Sequence, residues 1–201
     1  MIYSNNITEK ECIVFGSGPS LNDWNDSQIQ EAVRISCNTC IFSNNINRHD
    51  YYFIQDNGCS RAKRPEVEPN CYLSRKREYD SFRPTYKKFY GISVNSKRRR
   101  WNLTEQDVSD GDAIPYSLKT LNMSPVDNTD YITELHSVAL AAAQFAIHSK
   151  CTHLYVVGCD CTVGERFSGK CSVVTTSEKY KEGWSQLYKY MRSMDIPYTT
   201  F

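Results

Sequence analysis

Hydrophobic and polar positions alternate along the N-terminal third in the manner of an α/β protein. Cys12 to Phe15 is an apolar run that stops at glycines. From Leu21 to Val33 the residues Leu21, Trp24, Ile29 and Val33 recur at roughly helical spacing behind Ser20, an N-cap residue, and this predicts a helix. Arg34 to Cys37 and Tyr51 to Ile54 read as the second and third strands, ending at Asn38 and at Gln55-Asp56. Regularity returns later. Thr133 to Ser149 predicts a helix that is small and apolar on most sides, hence buried. Thr152 to Val157 is a buried-type strand running into Gly158-Cys159-Asp160. Ser177 to Met194 predicts an amphipathic helix, and Ile196 to Thr200 a last strand.

The fold class expected from this alternation is α/β and Rossmann-like, a mostly parallel sheet with helices on both faces. The 201 residues suit a single domain over 1–201. Cys71 to Leu73 and Phe89 to Val94 are further candidate strands, within a stretch, 57–125, that reads as a basic insertion or lid. From Arg61 to Arg100 there are 13 Lys and Arg against 4 Asp and Glu. From Asn102 to Glu134 the balance reverses, with 7 acids against Lys119. The formal net charge of +1 gives no global case for nucleic acid, and no nucleic-acid fold accompanies the basic segments. They suit an anionic glycan or a donor phosphate instead.

No stretch is long and apolar enough to span a bilayer, and the first residues lack the pattern of a secretory signal. The expected location is cytoplasmic, and the nine cysteines then read as reduced thiols. Cys37-x-x-Cys40 could pair only with Cys159-x-Cys161, which lacks the usual two-residue gap, so no metal site is expected.

In an open parallel sheet, ligands lie outside the carboxyl ends of the strands. Gly16, Ser17, Gly18 and Ser20 therefore form a turn at which a phosphate could meet the amides of the following helix. An NAD-binding site wants an acidic residue at the end of the second strand, and Asn38 stands there. A Walker lysine is missing too, against an NTPase.

The set FGSGPSL, ISCNTCIF, IQDN and HSVALAAAQFAIHSKCTHLYVVGCD resembles the bacterial sialyltransferases of glycosyltransferase family 42. It is also similar to Maf-type flagellin glycosyltransferases and to the 6-hydroxymethylpterin pyrophosphokinase-like domain. The resemblance covers the first sixty residues and roughly 130 to 160. It implies a metal-independent glycosyltransferase that moves a sugar from a nucleotide donor, CMP-linked in the sialyltransferases, to a glycan hydroxyl. No cofactor is implied beyond that donor. By position, Gly16, Ser17, Gly18 and Ser20 would line the phosphate side. Asn38 and Asp56 would contact ribose, base or sugar, with Ser137 at the start of the buried helix and Gly158 and Asp160 at the cytidine end.

The chain departs from that pattern where the family has a histidine base after the G-x-D strand. The four histidines are at 49, 136, 148 and 153. His136, Asp56 and Asp160 are then the candidate bases. Arg166 and Lys170 are the candidate partners of the leaving phosphate, in place of the family's paired tyrosines. Two other functions remain open on the same scaffold: a pyrophosphokinase-like phosphotransfer enzyme, and a non-catalytic nucleotide- or glycan-binding protein.

Overall fold

The structure, a computed structural model, describes residues 6–55, 71–93, 103–119, 132–133, 137–161, 165–166, 169–170 and 177–201. Strands β1 (Glu11–Phe15), β2 (Val33–Cys37), β3 (Tyr51–Ile54), β4 (Lys87–Ser93), β5 (Ile114–Lys119), β6 (Ile132–Thr133), β7 (His153–Val157) and β10 (Tyr198–Thr200) form one sheet. Its order is β10-β7-β1-β2-β3-β4-β5-β6, and every neighbouring pair is parallel. This is the α/β, Rossmann-like architecture. A two-stranded antiparallel ribbon, β8 (Glu165–Arg166) with β9 (Gly169–Lys170), stands apart from it.

Period-two alternation on β1 divides the core. Cys12 and Val14 face α3 (Val138–His148) and α4 (Ser177–Ser193), while Ile13 and Phe15 face Leu21, Trp24, Cys40 and Ile46 on the other side. Ten of the eleven residues of α3 are buried, as its small-residue composition demands of a helix lying across the middle of the sheet. Farther along, α1 (Lys76–Ser81) and α2 (Glu105–Asp110) flank a cluster built on Tyr52, Tyr72, Tyr79 and Tyr90. The stretch 57–125 thus supplies β4 and β5 to the main sheet and α1 and α2 to its flank.

The helix expected over Leu21 to Val33 does not form. Two short 3-10 turns, Pro19–Asp23 and Asp26–Gln28, take its place. The cause is Arg34, which is buried on β2. Its Nε donates to both carboxylate oxygens of Asp26 at 2.9 and 3.0 Å. Its remaining N–H groups donate to the carbonyls of Asp26, Ile29, Gln30 and Ala32. A helix would have spent those carbonyls on its own ladder. Asn25 adds to this by accepting from the Ser27 amide at 3.1 Å, the local competition that makes Asn a poor interior helix residue.

Two smaller expectations also change. Cys71 opens a turn rather than a strand, and it is disulfide-bonded, so the nine cysteines are not all thiols. Six others, Cys12, Cys37, Cys40, Cys151, Cys159 and Cys161, are thiols rather than disulfides. Among the described residues no helix is long and apolar enough to cross a membrane.

Candidate functional site

The strand order places a topological switch point between β1 and β7, since the chain builds outward from β1 to β6 on one side and adds β7 and β10 on the other. At that point the turn after β1 and the turn after β7 grip each other. Gly16 donates to Val157 O and Gly18 to Gly158 O, each at 2.7 Å. A Cβ on Gly16 would collide with Gly158 O, and one on Gly18 with the Asp160 carboxylate. Gly158 itself has φ +66°, the left-handed region that favours glycine.

Asp160 completes the pair of turns. Its Oδ2 accepts from the Ser20 amide at 3.2 Å, so a carboxylate of the chain already sits where the first turn would meet a phosphate. The element after that turn is a 3-10 helix of five residues, too short to carry much of a dipole. Ser20 Oγ donates to Phe201 O at 3.4 Å, and Ser17 is half-buried. The structure brings Gly16, Gly18, Ser20, Gly158 and Asp160 together, with the Asp160 carboxylate at the Ser20 amide.

Asn38 differs from them. It ends β2 in the left-handed region, φ +48°, which Asn tolerates better than most residues. Its backbone carbonyl accepts from Tyr52 Oη at 3.2 Å, yet its Oδ1 is enclosed and has no hydrogen-bond partner among the described residues. Thr39 Oγ1 beside it is in the same condition. Enclosed polar atoms are almost always paired, so two adjacent exceptions at a strand's carboxyl end make this segment a candidate binding position. Behind them Cys40 Sγ donates to the carbonyls of Phe15 and Gly16, at 3.1 and 2.7 Å, locking this segment to the glycine turn. Burial pushes the Cys37 and Cys159 thiols up, and neighbouring cysteines push them further, so both stay protonated and poorly suited to a metal. Among the described residues no group of His, Cys, Asp and Glu could hold a metal ion.

Ser137 is the N-cap of α3, its Oγ accepting from the Ala139 amide at 3.3 Å. The C-terminal end of α3 leads through four residues to the start of β7, so Ser137 lies at the carboxyl edge of the sheet. The positive end of an eleven-residue helix dipole comes with it. His136 and Asp56 lie outside the described residues. Arg166 lies on the β8–β9 ribbon. The three described histidines all sit toward the opposite edge: His49 leads into β3, His148 ends α3 and His153 begins β7.

A cavity of about 440 Å³ opens beside the turn pair, at the carboxyl ends of β7 and β10. Asp160, Cys161, Lys181, Trp184, Tyr188 and Arg192 are among its lining. Sequence reading missed this place, although a signal exists. Lys181, Trp184, Ser185, Tyr188 and Arg192 repeat at helical spacing along one stripe of α4, with a cation at each end.

No family model matches the chain, and no curated protein matches it. Among solved structures it is similar to the monofunctional α-2,3-sialyltransferase Cst-I from Campylobacter jejuni, at 12% identity and a TM-score of 0.49, over 100% of this chain and 78% of that one. It is also similar to the sialyltransferase CstII of the same organism in complex with CMP-3FNeuAc, at 12% identity and a TM-score of 0.46, over 96% and 81% of the two chains. For the CstII complex with cytidine-5'-monophosphate the values are 12%, 0.47, 96% and 80%.

Proposed function

We propose that the protein transfers a sugar from a nucleotide donor, CMP-linked, to a glycan hydroxyl, with the donor held along the carboxyl edge between Asn38 and the start of α3. The observation that carries this reading is the enclosed, unpartnered Oδ1 of Asn38 beside the switch point of an all-parallel sheet. An amide carbonyl there is an acceptor for a ribose or sugar hydroxyl, or for a base amine. The positive end of α3, capped by Ser137, supports a phosphate nearby. The donor class comes from the sequence motifs.

In the reaction the acceptor oxygen bonds to the anomeric carbon, and the bond from that carbon to the phosphate oxygen breaks. The nucleotide leaves with the electron pair, and the acceptor's proton passes to a base. His136, Asp56 and Asp160 are the proposed bases, and Arg166 the proposed partner of the leaving phosphate. For Asp160 this role requires releasing the Ser20 amide. No step requires a metal.

A second reading, a binding protein without catalysis, is favoured by one observation: the described histidines lie at the wrong edge for proton transfer. Thermal shift with CMP, UDP, ATP and NAD tests the binding, and release of free sugar from a CMP-sugar tests the chemistry. Selective stabilisation by CMP without metal is expected, weakened about tenfold or more in Asn38→Ala. Binding unchanged in that variant would place the donor elsewhere. Binding without sugar release or transfer would favour the second reading.

A further inference from the structure

Asn38 holds φ +48°, and the segment it leads, Asn38–Phe42, is a 3-10 helix of five residues, a geometry with poor hydrogen bonds of its own. The shape of this segment therefore depends on what holds it from outside. Cys40 is one tie, through the carbonyls of Phe15 and Gly16, but it lies past Asn38 in the chain.

The tie at Asn38 itself comes from β3. Tyr52 Oη donates to the Asn38 carbonyl at 3.2 Å, and among the described residues this is the side chain's one hydrogen bond. Tyr52 is fully buried. Its ring stacks on Tyr79 at 6.3 Å, with 13° between the planes, and meets Phe82 edge-on at 5.3 Å. Tyr79 also packs edge-on against Phe42, at 5.3 Å, at the far end of the 3-10 helix. Arg75, the residue before α1, lays its guanidinium 3.5 Å from the centre of the Phe42 ring. Tyr52 and the α1 segment thus bed the 3-10 helix at its two ends.

The Tyr52 hydroxyl adds nothing to this packing, since a phenylalanine would present the same ring to Tyr79 and Phe82. What it adds is a direction. The Asn38 carbonyl points according to the ψ angle of Asn38, so a donor fixed in the core fixes that angle. The stance of the Asn38 side chain relative to the segment is fixed with it. Burial pushes the Tyr52 phenol well above its ordinary range, so around neutrality it stays protonated and donates. Binding groups are precise when locked neighbours hold them.

We propose that Tyr52 is a positioning residue, its hydroxyl pinning the Asn38 carbonyl so that the Asn38 amide group is set for a nucleotide donor. This rests on the donor reading for the ligand, and on the Tyr52 bond for the pin.

Tyr52→Phe removes one oxygen and keeps the ring, so the variant folds, checked by thermal melting. In the ligand-free protein, backbone NMR should show the Asn38 and Thr39 signals displaced in this variant, and those of Lys10 and Lys150 in place. Calorimetric titration with CMP should show binding weakened by about tenfold. Tyr90→Phe is the control. It deletes another hydroxyl of the same aromatic cluster, bonded to Asp80 at 3.0 Å, and should alter neither the Asn38 signals nor the CMP affinity. In an Asn38→Ala background, Tyr52→Phe should cost less than about a further twofold, because its effect passes through Asn38.

Unmoved Asn38 signals in Tyr52→Phe overturn the proposal, whether or not CMP binds. So does CMP affinity that Tyr52→Phe leaves unaltered, an equal loss in Tyr90→Phe, or losses that add in the double variant. Each of these makes the hydroxyl a stabiliser of the fold alone. A wild type that binds no CMP sinks the donor reading by itself, and displaced Asn38 signals then still uphold the pin.

Discussion

Asn38 combines two costs in one residue, a left-handed backbone and an enclosed amide oxygen with nothing to accept from. An unpaired buried acceptor costs about 1–3 kcal/mol, and Asn in the left-handed region gives up part of another. Asn38→Gly removes both, against the larger chain entropy that glycine loses on folding. A net gain of about 1 kcal/mol is expected, which raises the melting temperature of a protein this size by roughly 2–4 °C. A thermal melt of the ligand-free variant measures it. A lower melting temperature would mean that the Asn38 side chain already serves the resting fold. The pairing of better stability with poorer donor binding is the signature of a residue kept for a ligand.

At the scale of elements, the segment between β1 and β2 is organised by one buried guanidinium. Its five N–H groups are all used, on Asp26 and four backbone carbonyls. Arg34→Met leaves the Asp26 charge without its cation, with only Trp24 Nε1 and the Asn47 amide still donating to it, and takes the side-chain donor from those carbonyls, so about 3–5 kcal/mol of stability should be lost. Chemical denaturation gives the number; a loss below about 1 kcal/mol would show that the segment holds its shape unaided. The same arginine marks the limit of sequence reading. β1, β2, β3, β7, α3 and α4 were legible because their apolar spacing answers to the sheet and to each other. Leu21 to Val33 had helical spacing as well, but a long-range demand from β2 outweighed it. The short elements α1, α2 and β5 lie among basic and acidic runs with weak periodicity, and the Thr104–Asp107 capping box of α2 is a local signal too short to place the helix in the fold. In the site, the strand-end positions of Gly16, Gly18, Asn38 and Gly158 were readable. That Asp160 fills the first turn, and that α4 walls a cavity, depends on contacts between residues far apart in the chain.

The molecule as a whole carries a half-buried ionisable group, His49, whose effect is on overall stability. His49 Nδ1 lies 2.7 Å from Ser36 Oγ, and burial lowers the imidazole from its ordinary value to about 4. The folded protein keeps this ring neutral where the unfolded chain, near 6.5, takes up a proton. Its contribution is therefore complete above about pH 6.5 and is lost as the pH falls toward 4, by up to about 1.4 kcal/mol per pH unit. Denaturant titrations at pH 7.5, 5.5 and 4.5 should show a shallower decline in His49→Gln than in the wild type. Parallel declines would assign the acid sensitivity to other groups.

Eight parallel strands also give the molecule two rims of different character. Every strand discharges toward the rim that carries Asn38, the glycine turns and the α4 cavity. The opposite rim has Lys10 and Lys150, both exposed, on chain segments tied together by the Glu9 amide to Lys150 O and the Thr152 amide to Lys10 O. Amine coupling at that rim would fix the protein to a sensor chip with its binding face turned to the solution.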